Sequence, residues 1–477
     1  MGSMNLAMPL VPELALAALA VLVLVVGIVE GQARSAKASG WIALAGLLGL
    51  FGLTFVAEEG RSVFGGSFVQ DALSIFAKRL FIGSAAISVL GSLTLRHQSV
   101  SRRGAEYHFA LLMSLLGMLV LASARDLILL FVAFELMSIP LYLLTGFMKR
   151  DAVASEAALK FFLIGTVSAA VIAYGMSFIY GATGSTALAV IPLALSAGQP
   201  LAFLGMTLLL AGLGFKIAAF PFHMWAPDAY EAANAPFVAW LSVAPKAAGF
   251  VAIIRLYMEG AGRAGLIWLP LVATLAGMTI ITGNLMAIPQ TNIKRLLAYS
   301  GIAHIGYMLI GIAAFSTNGV AMVLFYLVAY LFGNMGAFMV VEVVSRSEQS
   351  DGIDAYAGLA QRSPLLALAM LVFLLSLGGI PFVAGFWAKL YVFMAAIERG
   401  MYGLVFLGAV LTVVALYYYL LVARQMYIEA PARREPVPVP ALLGVAIGIC
   451  LLGVVGIGLY PGPWVEVVMR VARSLFS

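Results

Sequence analysis

Five ionisable side chains interrupt stretches of this sequence that are otherwise apolar. They are Glu135 in FVAFELMSIP, Lys216 in GLGFKIAAFP, Lys246 in SVAPKAAGFV, His304 in SGIAHIGYML and Lys389 in GFWAKLYVF. Placing a charge at the centre of a bilayer costs about 2.5–3.5 kcal/mol even on insertion scales, so such residues mark proton or ion paths or tightly paired charges. Burial favours the neutral amine of a lysine, and a nearby carboxylate favours the ammonium. A lysine held between those influences can load and release a proton near neutral pH. Movement of Glu135 toward or away from Lys216 would then switch its proton affinity.

Each candidate also has a plainer reading. Glu135 can be a carboxyl paired for packing, and Lys216 and Lys246 can sit in fixed ion pairs. Trp387 and Tyr391 around Lys389 fit an interface position. A lone core histidine such as His304 often only satisfies hydrogen bonds, although its ring also relays protons near physiological pH. Lys160 in EAALKFFLIG is a further candidate, and snorkelling or an i to i+4 pair with Glu156 accounts for it equally well. His223, beside Pro221 and Trp225, reads as a structural residue at a helix end. Asp126, Asp228 and Glu231 read as caps or loop contacts, and Tyr417, Tyr418 and Tyr419 as packing and interface anchors.

The elements that must position these groups are membrane helices. Of 477 residues, 63% are hydrophobic and only 10% charged, where globular proteins average about 25% charged. Mean hydropathy is +1.06. Fourteen segments are long enough to span, at 10–30, 41–57, 71–95, 106–123, 126–148, 156–181, 199–221, 235–258, 265–287, 295–315, 318–345, 364–397, 402–428 and 438–460. The fold class is an all-α polytopic membrane protein. Segment seven ends on Pro221, and segment twelve carries Gly378, Gly379 and Pro381 near its middle, so both read as discontinuous helices. Met1–Ser3 reads as an added remnant before a native Met4. The first apolar run reads as a retained helix rather than a cleaved signal, because so many spans follow it.

Loop charge sets an orientation. Alternate loops hold Arg34, Lys37, Arg96, Arg102, Arg103, Lys149, Arg150, Lys294, Arg295, Arg346, Arg362, Arg424, Arg433 and Arg434. The opposite side holds Arg61, Arg255, Arg263, Arg399, Arg470 and Arg473, a ratio of fourteen to six. Both termini are therefore expected outside. The excess of basic residues, net +6, belongs to these loops and does not call for nucleic acid.

A weak internal repeat is visible. Glu135 precedes Lys216 by 81 residues and His304 precedes Lys389 by 85. Asp126 lies nine residues before Glu135, and Arg295 nine before His304. Five segments separate segment seven from segment twelve. An odd number flips the second copy, which is the inverted-repeat arrangement of many transporters. The single cysteine, Cys450, and the lack of a P-loop or a GxGxxG turn after a strand leave no expected metal or redox cofactor in this chain.

Four stretches carry a family resemblance: ELMSIPLYLL at 135–144, SEAALKFFLIGTVSAAVIAYGMSFIYGATGS at 155–185, FKIAAFPFHMWAPDAYE at 215–231 with LSVAPKAAGF at 241–250, and NIKRLLAYSGIAHIGYML at 292–309. DGIDAYAGL at 351–359 and GIPFVAGFWAKLYVF at 379–393 add to them. Together they resemble the antiporter-like membrane subunits of respiratory complex I, NADH:quinone oxidoreductase, over most of the chain from segment four onward. Lysine rather than glutamate at 389, and the wording WAPDAYE, look like the N-type branch rather than the M-type. Two departures stand out: Ala232–Pro236 reads AANAP where the family usually has GAPAP, and Ser300–Gly301 replaces a usual pair of serines. Neither falls on a charged position.

The resemblance implies about 14 transmembrane helices with two inverted five-helix repeats. The expected divisions are 4–105 for helices 1–3, 106–258 for the first repeat, 259–428 for the second, and 429–477 for helix 14 and a tail. It implies that Glu135, Lys216, Lys246, His304 and Lys389 form a proton pathway. It further implies a bacterial inner-membrane location and a place beside the antiporter-like subunit M, the small subunits K and J, the lateral helix of subunit L, and lipids. NADH, FMN, iron–sulfur clusters and quinone would belong to partner subunits. The rival expectations are a subunit of a multisubunit sodium/proton antiporter, which shares the fold, and a purely architectural copy. Five embedded polar residues at pathway spacing argue against the latter.

Overall fold

The computed structural model describes residues 8–30, 32–95, 100, 102–149, 151–260, 262–431 and 433–476. Met1–Ser3, Arg96 and Arg150, used above, lie outside the described residues. The principal helices are α1 (Val11–Glu30), α2 (Gln32–Leu53), α3 (Ala72–Ser92), α4 (Gly104–Ser123), α5 (Leu127–Thr145), α6 (Ala152–Thr183), α7 (Pro200–Ile217), α8 (Trp225–Ala232), α9 (Ala235–Leu241) and α10 (Ala244–Ile253). They continue with α11 (Leu269–Ala287), α12 (Ile293–Ala313), α13 (Thr317–Glu348), α14 (Pro364–Gly378), α15 (Ala384–Ile397), α16 (Tyr402–Tyr427), α17 (Ala441–Leu459) and α18 (Gly462–Arg473).

Among the described residues, twelve helical stretches are long and apolar enough to cross a membrane. With Lys37–Leu53 and the α14–α15 pair taken as one broken span, the total is the fourteen expected. Large apolar side chains such as Ile28, Phe406 and Leu452 face outward from α1, α16 and α17. A helix face of that composition is stable against lipid and not against water. The chain is a multi-pass membrane protein.

It divides into two compact units: Met1–Ile217 with Ala244–Trp268 and Arg473–Ser477, and Ala218–Val243 with Leu269–Ala472. In the first unit α6 runs along α7, α4 packs on α1, α3 and α5, and α10 packs on α3, α4 and α7. Small residues allow the α6–α7 approach, since a Cβ on Gly175 would stand 2.7 Å from the Gly205 carbonyl oxygen. Helix starts are capped by polar side chains. Asp71 forms a capping box with Ser74 at α3, and Asp126 accepts the Ile128 and Leu129 amides at α5. Arg255, with no exposed side-chain surface, grips both Asp71 carboxylate oxygens at 2.6 and 2.7 Å and donates to the Ala122 carbonyl at 2.8 Å. Lys78 and Glu13 form a second buried pair at 2.7 Å.

In the second unit α12 and α13 are buried along almost their whole length. Helix α11 lies against α12, while α9, α14, α15 and α17 surround α13. Asn292 caps α12. Arg295 in its first turn holds Asp228 at 2.9 Å and Glu231 at 2.7 Å, tying α8 to α12. Lys294 pairs with Asp351 at 2.9 Å.

Two differences from the sequence reading concern boundaries. Segment seven was expected to run to Pro221, but α7 stops at Ile217 because Ala218 takes a left-handed conformation at φ 59°. Pro221 lies on the far side of that break, and the Phe220 amide is satisfied by the Thr279 hydroxyl at 3.1 Å. The tail after helix 14 holds an unanticipated helix, α18. It buries Val468, Val471 and Ala472 on one face and leaves Glu466, Arg470 and Arg473 exposed. A small hairpin, Arg61–Val63 against Phe68–Gln70, was likewise not foreseen.

Candidate functional site

The first unit holds a lysine centre at the end of α7. Lys216 is 5% exposed and flanked by Phe215 and Ile217, so it cannot snorkel to an interface. Its Nζ donates to Ser138 Oγ at 2.7 Å and stands 3.5 Å from Glu135 Oε1. Glu135 and Ser138 are three residues apart on α5 and so share a helix face. The Ser138 hydroxyl donates in turn to the Phe134 carbonyl at 2.7 Å, which fixes its oxygen as an acceptor for the ammonium. The rings of Phe134 and Phe215 stand 5.9 and 5.8 Å from Nζ. A serine contact at full strength beside a stretched carboxylate contact is an arrangement that a small shift of α5 would strengthen or break.

Lys246 is 1% exposed in α10. It lies one turn before Gly249, where a Cβ would stand 2.4 Å from Ile217 Cγ2. That close approach sets Lys246 on the helix that packs against the Lys216 end of α7. Lys160 belongs to a different setting. It pairs with Glu156 at 2.8 Å, and 48% and 67% of the two side chains are open. Glu135, Lys216 and Lys246 are thus buried or half-buried, and Lys160 is on an open helix face.

The second unit holds the other lysine centre. Helix α14 ends at Gly378, and Gly379 follows at φ 83°. Lys389, 4% exposed in α15, reaches back and donates to the carbonyls of Leu377 at 2.9 Å and Gly378 at 3.1 Å. Those carbonyls are the unsatisfied end of α14, where the helix dipole favours a cation. The broken helix and the buried lysine therefore explain each other. The ammonium also stands 4.8 Å from the Tyr307 ring centroid. Lys389 is inside the protein and not at an interface; Trp387 and Tyr391 stack on each other at 5.5 Å.

His304 in α12 is surrounded by phenols. Tyr326 hydroxyl lies 2.7 Å from Nδ1 and Tyr419 hydroxyl 3.5 Å from Nε2. The rings of Tyr307 and Tyr330 stand 6.2 and 5.0 Å from the imidazole. Tyr307 therefore touches both His304 and Lys389. The reading of three tyrosines as packing and anchors needs revision for one of them: Tyr417 is exposed and Tyr418 is packed inside, but Tyr419 joins the histidine cluster. Successive helical residues point about 100° apart, so three in a row cannot share one environment. The sequence alone does not say which of them turns inward. His223 is buried with its ring against Phe220 at 5.8 Å.

Gly379 offers a direct test of the second centre. A Cβ there would stand 2.9 Å from Lys389 Cδ, on a backbone that only glycine adopts without strain. Gly379→Ala should destabilise the purified protein by about 1–2 kcal/mol and displace the lysine. A lowered melting midpoint in detergent checks this, and an unchanged one contradicts it.

Among the described residues no group of three or more His, Cys, Asp or Glu side chains is placed to hold a metal ion. The two lysine centres and the His304 cluster offer lysines, a carboxylate, an imidazole and hydroxyls.

Comparison with known proteins bears on this arrangement. The family described as NADH:quinone oxidoreductase/Mrp antiporter, TM, matches residues 124–415. The NADH-quinone oxidoreductase subunit N of Heliobacterium modesticaldum is 41% identical over 471 residues, covering 98% of this chain and 99% of that protein. The subunit N of Moorella thermoacetica is 43% identical over 439 residues, with 91% and 92% coverage. Among solved structures, a chain of respiratory complex I from Thermus thermophilus aligns with TM-score 0.82 and 33% identity over 95% of this chain and 98% of that one. A chain of the Mrp complex from Dietzia sp. DQ12-45-1b aligns with TM-score 0.85 over 99% of this chain and 98% of that one. At 19% identity that likeness concerns the fold alone.

Proposed function

This chain belongs to the NADH:quinone oxidoreductase/Mrp antiporter transmembrane family, and from that membership we infer that it is the proton-translocating, N-type membrane subunit of an NADH:quinone oxidoreductase. It is a component of a multisubunit translocase and carries the proton step; NADH oxidation and quinone reduction occur in other subunits. The observation that carries this reading is the buried Lys216, hydrogen-bonded to Ser138 and poised 3.5 Å from Glu135 in a chain aligned with subunit N relatives along nearly its full length.

In this reading Glu135 sets the charge state of Lys216. When the carboxylate approaches, the ammonium is held. When it withdraws, the buried amine gives up its proton. Lys246 and His304 continue the path, and Lys389 at the α14–α15 break is its last embedded site. Lys160, paired with Glu156 on an open helix face, is a further candidate for the path. We take 4–105, 106–258, 259–428 and 429–477 as the functional divisions, the middle two as inverted repeats. We place both termini outside a bacterial inner membrane, with the antiporter-like subunit M, the small subunits K and J and the lateral helix of subunit L as neighbours. FMN, iron–sulfur clusters and quinone are assigned to partner subunits.

The test uses inverted membrane vesicles from a strain lacking this chain, with and without complementation. NADH-driven quinone reduction and proton uptake, followed together, should both return with the chain. If both persist without it and only sodium-dependent proton exchange is lost, the protein is an antiporter subunit instead.

A further inference from the structure

The two ring nitrogens of His304 each face a phenol, and one of those phenols leads further. The Tyr419 hydroxyl, on α16, is in hydrogen-bond contact with Ser300 Oγ, one turn before His304 on α12. The order Ser300–Tyr419–His304–Tyr326 is therefore an unbroken run of exchangeable groups, every member buried. A neutral imidazole presents one N–H and one lone pair, whereas a hydroxyl both donates and accepts. The run can therefore be satisfied with all its hydrogens pointing either way, one direction for each tautomer of the ring.

Tyr418 donates to Asn284 Oδ1 at 3.1 Å and is also in hydrogen-bond contact with Tyr419, so it borders the run. Tyr307 accepts from the Thr412 hydroxyl at 3.1 Å and offers Lys389 only its ring. Phenylalanine would fill the space of Tyr419 equally well. A buried hydroxyl is tolerated only where it finds partners, and here the partners include a serine and the histidine.

We propose that Ser300 and Tyr419 are relay residues that load His304 at Nε2, and that Tyr326 is the relay residue that unloads it at Nδ1. This rests on the reading of His304 as part of the proton path. In one passage the Tyr419 O–H gives its proton to Nε2 and takes the proton of Ser300, which takes one from water in its turn. The imidazolium then releases its Nδ1 proton to the Tyr326 oxygen as Tyr326 gives its own to water. Each oxygen gives one proton and receives one, and no redox partner is needed. The ring is left as its other tautomer, and a turn of the imidazole together with rotation of the hydroxyls resets the run.

The experiment compares Tyr419→Phe, Ser300→Ala, Ser300→Thr and His304→Gln in the assembled complex in inverted vesicles. Proton uptake per NADH-derived electron is measured against the amount of chain present. Tyr419→Phe and Ser300→Ala should each slow uptake by about tenfold, the factor that a lost hydrogen bond to a charged group carries. Ser300→Thr, which keeps the hydroxyl, should restore it. A Ser300→Thr variant as impaired as Ser300→Ala would mean packing and would overturn the relay. Wild-type uptake in Tyr419→Phe with impaired His304→Gln would overturn it too, leaving His304 in place. Wild-type uptake in His304→Gln would instead remove the underlying reading.

Discussion

Replacing Lys216 by alanine should reduce proton uptake in NADH-energised vesicles by about a hundredfold, the low end of what a positioned proton-transfer group supplies, and should slow coupled quinone reduction with it. The variant strips Ser138 of its donor and Glu135 of its counter-charge at once. It therefore cannot by itself separate a proton carrier from a structural pair. Lys216→Arg separates them. A guanidinium keeps the positive charge and donates to both partners, yet it does not deprotonate in proteins. A fixed ion pair predicts an arginine variant that assembles and pumps. Proton exchange at this site predicts one that assembles and does not. Uptake near wild type in Lys216→Arg would remove Lys216 from the path.

Asp71→Asn should be the most damaging change outside the path. Arg255 has no exposed side-chain surface and gives two hydrogen bonds to this one carboxylate, with Arg125 adding a third contact at 3.3 Å. Burial alone would push the Asp71 carboxyl up. The Arg255 charge and hydrogen bonds, the Ser74 amide and Arg125 outweigh burial and hold it at about 2, against an ordinary 3.8. That depression is worth about 2 kcal/mol, and loss of one member of a buried pair typically costs about 3–5 kcal/mol because the other charge stays uncompensated. The variant should therefore melt with a loss of about 2–5 kcal/mol in detergent. The carboxyl is depressed on folding, so its stabilisation is complete above the ordinary value of 3.8 and fades as pH falls toward about 2. Wild type should lose stability across that window, and Asp71→Asn should show a shallower decline. An asparagine variant as stable as wild type, with the same acid profile, would show that Arg255 finds compensation elsewhere.

Some of the lysine sites were legible in the sequence because an isolated charge in an apolar span permits few readings. Lys216 cannot reach an interface past Phe215 and Ile217, and a carboxylate in another span was the natural counter-ion to look for. The break before Lys389 was legible too, since Gly378, Gly379 and Pro381 cannot continue a helix. Ser138 was not, because a serine in a membrane helix satisfies itself on its own backbone in most settings, and only the approach of α7 gives it a second role. Tyr307, Tyr326 and Tyr419 gave no signal at all. A phenol is as much at home in packing or at an interface as on a histidine.

The sequence by itself determined the class of molecule, the number of spans, the two discontinuities and which charges had to be explained. All of these follow from local composition and from the free energy of placing a polar group in hydrocarbon, which does not depend on neighbours. The tertiary structure alone decided which hydroxyl meets which nitrogen, that Lys389 caps the carbonyls of Leu377 and Gly378, that α7 ends at Ile217, and that Arg255 closes on Asp71 from 184 residues away. Those outcomes depend on the rotation and approach of packed helices. Hydrophobic spans with nearly uniform faces leave that rotation unspecified until small residues and buried polar groups fix it.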